Sequence, residues 1–245
     1  MSGCIALDED FHVHSTFSDD ATSTVAENVN VARERGLRTL CLTDHVRRDT
    51  TWVPDFVAAV AEHRQGPGLR VLAGVEAKVL DTSGQLDVPA GLDDGIDLVL
   101  VADHQFPADN GPLHPAEVRA VIEYGAMTAG EAIERLCTAT ANAIAPGRRL
   151  LLAHLFSLLP KIGLTEEMVP MPLLADLAAR AARADVLVEV NEKWSCPSVR
   201  TAAAMADAGV HLVAGSDSHH CAQIGAYAGV RRTADAVPRA LPGES

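Results

Sequence analysis

Residues 10–45, DFHVHSTFSDDATSTVAENVNVARERGLRTLCLTDH, contain a complete strand–helix–strand unit. Asp10 to Val13 reads as a short strand. A helix over Thr24 to Arg35 follows, with Thr22 or Ser23 placed to cap it and Gly36 to stop it. Arg38 to Thr43 is the second strand. Both strands run out into residues that ligate metals, His12 and His14 after the first and Asp44 and His45 after the second. On extended chain, positions i and i+2 point to the same side, so His12 and His14 aim at one place.

The unit recurs along the chain. Strands are expected at Leu69 to Val75, Asp97 to Ala102, Leu150 to Ala153, Val186 to Val190 and Val210 to Ala214, which makes seven in all. Helices are expected at Pro54 to Arg64, Thr128 to Ile144, Leu173 to Arg183 and Ser198 to Asp207. The strands are nearly continuous apolar runs, as parallel strands buried on both faces must be. Asp81 to Asp94 and Phe106 to Val118 are rich in Gly, Pro and Asp and read as long loops. The alternation fits a parallel β/α barrel, with a doubly wound open sheet as the structural alternative. At 245 residues and 48% apolar composition, one such domain is within reach.

Composition narrows the function. A net charge of −13 gives no basic surface for nucleic acid. No apolar run approaches the ~20 residues of a bilayer span. Met1 to Asp10 carries acids and no base, unlike a secretory or organelle leader. The five cysteines, Cys4, Cys41, Cys137, Cys196 and Cys221, are scattered and form no C-x-x-C pair. A reducing cytoplasm is the expected compartment.

Ligand-type residues close every strand. Glu76 ends the third, His104 follows the fourth, His154 ends the fifth, Glu189 and Asn191 end the sixth, and Asp217 and His219 follow the seventh. Asp19 and Asp20 lie just after the first pair. His63, His114 and His211 fall elsewhere, and His220 adjoins the set. One histidine after an apolar run is ordinarily structural, but in a parallel barrel all of these ends converge on one rim. Mixed imidazole and carboxylate donors suit Zn, Mn or Fe better than Ca or Mg. The donors outnumber a single tetrahedral site, so two or three divalent ions are expected, with Glu76 as the bridging carboxylate. Paired metals supply a hydroxide nucleophile at neutral pH. The chain has neither a G-x-S-x-G elbow nor a P-loop.

Four segments resemble the polymerase and histidinol phosphatase (PHP) family. They are Phe11 to Asp19, with H-x-H and then Asp five residues on; Leu42 to His45; Gly74 to Glu76 with His104; and His154 with Gly215 to His219. The resemblance covers residues ~10 to 220 and implies a distorted barrel of seven β/α units in a single domain. It also implies three metals. His12, His14, Glu76 and Asp217 would hold the first, Glu76, His104 and His154 the second, and Asp19, His45 and His219 the third. Asp20 stands where the family often has Gly, so either acid can be the ligand, with Asp19 preferred.

By the same resemblance, the activity would be hydrolysis of a small phosphomonoester or cyclic phosphate. Lys78 and Lys193 share parity with Glu76 and Asn191, which makes them candidate phosphate contacts. Arg47 and Arg48 follow His45 directly. Asp44 and His220 flank presumed ligands and join Glu76 and Asp217 in the candidate catalytic set as proton donors. Two other readings stay open: hydrolysis of an amide or related C–N bond, and a non-catalytic metal-stabilised domain. The substrate would be a small molecule; the oligomeric state is open.

Overall fold

The computed structural model describes residues 5–92, 94–145 and 148–237. Nine strands occur in it: β1 (Glu9–Val13), β2 (Thr39–His45), β3 (Arg70–Lys78), β4 (Leu98–Ala102), β5 (Phe106–Ala108), β6 (Gly111–Leu113), β7 (Leu150–Ala153), β8 (Leu187–Asn191) and β9 (Leu212–Gly215). Seven of them form one parallel sheet in the order β1-β2-β3-β4-β7-β8-β9. The sheet curls until its edges meet. His14 N–H donates to the Ser218 carbonyl at 2.8 Å, and Ser218 N–H donates to the His12 carbonyl at 3.3 Å. This closure favours the barrel over the open sheet.

The helices are α1 (Val25–Glu34), α2 (Val53–Ala61), α3 (Pro115–Glu123), α4 (Ala129–Ala143), α5 (Leu158–Lys161), α6 (Met171–Arg183), α7 (Val199–Asp207) and α8 (Gly229–Ala236). The cap of α1 is Thr24 rather than Thr22 or Ser23. Its side chain and that of Glu27 form a reciprocal capping box, which fixes the start one residue later than expected. The expected loop from Phe106 to Val118 holds the β5–β6 hairpin and the start of α3. His114 caps α3 with Glu117 in the same reciprocal way, a role usually filled by Ser or Thr.

Strand parity sorts the core. Outward residues of β2 and β3, such as Leu40, Leu42, Val71 and Ala73, pack with Val29 of α1 and Phe56 of α2. Inward residues form a separate cluster containing Phe11, Cys41, Leu72, Leu98, Leu100, Leu151 and Val213. Followed up the strands, the inward row turns from apolar to polar: Leu72, Gly74, Glu76, Lys78 on β3 and Leu187, Glu189, Asn191 on β8. The lower barrel is thus a packed plug and the upper end a polar bowl, the division expected of such barrels. Among the described residues, no helix is long and apolar enough to cross a membrane.

Candidate metal centre

Glu76 is the hub of the bowl, and it is buried. Its Oε1 lies 2.8 Å from His154 Nε2 and 3.0 Å from His104 Nε2. Its Oε2 lies 2.9 Å from His45 Nδ1, 3.4 Å from His12 Nε2 and 3.5 Å from His14 Nε2. Despite these neighbours, Oε2 accepts no hydrogen bond. The five imidazoles come from the ends of β1, β2, β4 and β7, so parallel strands deliver donors that are remote in sequence.

A second carboxylate sits opposite. Asp217 Oδ1 is 3.5 Å from His14 Nε2 and 3.4 Å from His219 Nδ1. Lys193 Nζ donates to the same oxygen at 3.2 Å. Asp20 Oδ2 approaches His219 Nε2 at 3.1 Å and His45 Nε2 at 3.5 Å. Asp19 instead lines two cavities at the mouth. The neighbouring acid, Asp20, thus occupies the place preferred for Asp19 in the sequence.

Three kinds of cluster suit a cation: His12, His14 and Glu76; His45, Glu76 and His104; and His14, His45 and His219. The physical fit is direct. Buried carboxylates are costly unless compensated, and an orphaned buried oxygen is costlier still. Here Glu76 Oε2 is surrounded by imidazole nitrogens that do not hydrogen-bond it, the arrangement expected when lone pairs converge on a shared cation.

The electrostatics agree. Burial pushes the Glu76 carboxyl up, but His104 and His12 outweigh it and hold the group well below the usual range. Burial likewise raises Asp217, and the charge of His12 with the hydrogen bond to His14 drives it down. Burial disfavours protonation of His154, yet Asp103 and Glu76 lift it to about 10. His14 falls to about 3 through burial, reinforced by the charge of His12. Protons and divalent cations are alternative occupants of such nitrogens.

An outer layer orients the donors. His154 Nδ1 lies 3.1 Å from Asp103 Oδ1, and Asp103 also accepts from Ser157 Oγ at 2.7 Å. Glu189, fully buried, accepts from His12 Nδ1 at 3.0 Å, Asn191 Nδ2 at 2.9 Å and the His154 backbone N–H at 2.7 Å. Such carboxylate partners fix imidazole tautomers. Glu189, named in the sequence among the ligand-type residues at the strand ends, takes its place in this outer layer. Asp103 was hidden beside His104. Two donors, His154 (φ 31°) and Asp217 (φ 53°), adopt left-handed backbone without being glycine. Such strain is held by surrounding structure and clusters at functional sites.

Three candidates lie elsewhere. Asp44 is buried, with its oxygens accepting from Ser15 N–H, Ser15 Oγ and Ser18 Oγ, each at 2.7 Å. It ties down the loop after β1 and does not face the mouth. His220 uses Nδ1 to accept from Ala222 N–H in the following turn. Arg48 lines a separate cavity of about 630 Å³, away from the imidazoles. Arg47 and Lys78 do line the mouth, a cavity of about 290 Å³ with His45, Glu76 and His104. Lys78 Nζ is 3.4 Å from Asp87.

A barrel with imidazoles and carboxylates gathered at the C-terminal rim defines the class of protein. The PHP domain family description matches residues 10–141, over half of the chain, and the chain belongs to that family. A probable phosphatase of Vibrio vulnificus is 33% identical over 126 residues, covering 49% of this chain and 50% of the relative. The chain thus spans about half the length of that relative. A probable phosphatase of Shewanella sediminis is 28% identical over 230 residues, covering 89% of this chain and 80% of the relative. The crystal structure of histidinol phosphate phosphatase from Lactococcus lactis, complexed with zinc, L-histidinol and phosphate, superposes with a TM-score of 0.66. It is 16% identical and covers 93% of this chain and 92% of that one. That likeness establishes the shared distorted barrel.

Proposed function

We propose that the protein is a metal-dependent phosphoesterase acting on a small phosphorylated metabolite. The observation that carries this reading is the bowl itself: an unpaired, buried Glu76 Oε2 among imidazoles, with cationic side chains at its edge. The names of the Vibrio and Shewanella relatives, and the phosphate in the Lactococcus structure, point the same way.

His12, His14, Glu76 and Asp217 would hold one divalent ion, Glu76, His104 and His154 a second, and His45 and His219 with Asp20 or Asp19 a third. Zn, Mn or Fe matches this donor set, with Zn favoured by the Lactococcus structure. Bound there, such ions supply Lewis acidity and activate water for attack.

The chain's own residues then bind and orient. Lys193, beside Asp217 and His219, and Lys78 and Arg47, in the mouth, offer positive charge to phosphate oxygens. That charge favours phosphoester over amide, since a neutral amide has no use for three cations. Asp44 and His220 do not line the mouth, so the leaving group takes its proton from a mouth residue or from solvent. Asp19, exposed where two cavities join, is the carboxyl best placed. Unpaired cysteines at Cys41, Cys137, Cys196 and Cys221 support a reducing, cytoplasmic setting.

The test is reconstitution with Zn²⁺ or Mn²⁺, followed by phosphate release from a panel of phosphomonoesters and cyclic phosphates. Amine release from amides is measured in parallel. Metal-dependent phosphate release is expected; amine release alone would transfer the reading to C–N hydrolysis.

A further inference from the structure

Asp217 divides its two oxygens between different partners. Oδ1 faces His14 and His219, while Oδ2 accepts the indole N–H of Trp194 at 2.9 Å. Trp194 belongs to the turn after β8. Its backbone N–H donates to Asn191 Oδ1 at 2.8 Å, and Asn191 N–H closes the turn on the Cys196 carbonyl at 2.7 Å. Lys161 Nζ lies over the indole, 3.9 Å from the ring centroid. Trp194 is 40% exposed, so burial alone does not set its orientation. The hydrogen bond and the cation do.

A carboxylate ligates a metal through one oxygen or two. An indole N–H donates and cannot ligate. We propose that Trp194 is a positioning residue that occupies Asp217 Oδ2 and confines Asp217 to one-oxygen ligation through Oδ1, with Lys161 holding the ring in place. The inference rests on the metal-centre reading above. The two partners on Asp217 differ in kind. Lys193 sits on the ligating oxygen as a charge that a metal would displace. Trp194 sits on the other oxygen as a neutral donor that a metal would not displace, although the cation would change the field at the indole.

The experiment strips the 245-residue chain of metal and titrates it with Co²⁺, read by calorimetry and by visible d–d absorption. Trp194→Phe keeps the ring under Lys161 and removes the N–H. Its Co²⁺ affinity should fall by roughly 10–100-fold, the usual cost of losing an outer hydrogen-bond partner of a ligand. Its d–d bands should weaken as a second oxygen joins and the coordination number rises. Lys161→Met should shift both readouts the same way by a smaller factor. In a Trp52→Phe background, Trp194 emission should change on titration with Zn²⁺. Wild-type protein that binds no Co²⁺ would refute the metal centre itself. Co²⁺ bound to Trp194→Phe with wild-type affinity and spectrum would overturn the role of Trp194 alone. Should Trp194→Phe fail to fold, the Zn²⁺ titration decides, and unchanged Trp194 emission overturns the proposal.

Discussion

Gly215→Ala tests whether the outer layer of the centre is as tightly fixed as the geometry requires. A Cβ at Gly215 would stand 1.8 Å from Glu189 Oε1, 2.7 Å from its Cδ and 2.9 Å from its Cγ. The clash involves the middle of the side chain as well as its tip, so a terminal rotation cannot relieve it. Glu189 must retreat while fully buried, and it holds His12 Nδ1, Asn191 Nδ2 and the His154 N–H. A hydrogen bond to a charged group contributes about 1.5–3 kcal/mol, and overpacking a core costs about 1–3 kcal/mol. Losing one such bond with moderate overpacking costs about 3–5 kcal/mol. For a domain of this size that lowers Tm by roughly 6–20 °C. Scanning calorimetry on metal-free protein reads the effect directly. Gly130→Ala is the control. Its Cβ would meet nothing nearer than Thr128 Oγ1 at 4.0 Å, and alanine in a helix should leave Tm unchanged or raise it slightly. Equal melting of Gly215→Ala and wild type would show that Glu189 moves freely, and the rigid outer layer would have to be abandoned.

Asp20→Asn should reduce the metal bound per chain, measured by elemental analysis after dialysis, while Asp19→Asn keeps full metal content and lowers turnover. The reverse pattern would return the third site to Asp19. Lys78→Ala and Lys193→Ala should raise KM for a phosphoester several-fold with metal content intact; unchanged kinetics would remove both from substrate binding. Thiol chemistry follows burial: desolvation pushes Cys137 up to about 12 and raises Cys41 and Cys196. Native protein should therefore alkylate at Cys221 well before these three, as peptide mass spectrometry will show. Early labelling of Cys41, which is fully buried in the barrel, would contradict the packed lower core.

The barrel was legible because its strands obey a simple period. The inward rows of β3 and β8 place Glu76, Lys78, Glu189 and Asn191 by parity alone, and the mouth cation Lys78 was found that way. Adjacency to His45 did not suffice for Arg48, because β2 ends at His45 and no strand period carries beyond it. For Asp44, inside β2, the reason is the opposite one: neighbours on a strand face opposite sides, and Asp44 points outward to Ser15 and Ser18. The choice between Asp19 and Asp20 was not legible, because no period applies in the irregular loop after β1. Helix α3 was hidden behind Pro, Gly and Asp, since Pro115 is itself the first helical residue and His114 an unusual cap.

The same parity explains why this bowl carries the chemistry. A seven-stranded barrel presents one inward position per strand at each level, and at the top level these positions are Glu, His, Asp or Asn. Glu76, Glu189, Asp103 and Asp217 are all buried there. Such a concentration of acid opposes folding unless positive charge offsets it. In the metal-free chain, Glu189, Glu76 and Asp217 around His12 and Asp103 and Glu76 around His154 overcome burial and favour a proton on both imidazoles, which offsets part of that acid. That compensation is incomplete, because Glu76 Oε2 stays without a hydrogen bond. Divalent cations at the imidazole and carboxylate clusters would complete it, and a ligand that binds only the folded chain stabilises it by mass action. Strained backbone at His154 and Asp217 is held by the outer hydrogen bonds, and bound ions would hold it from the other side.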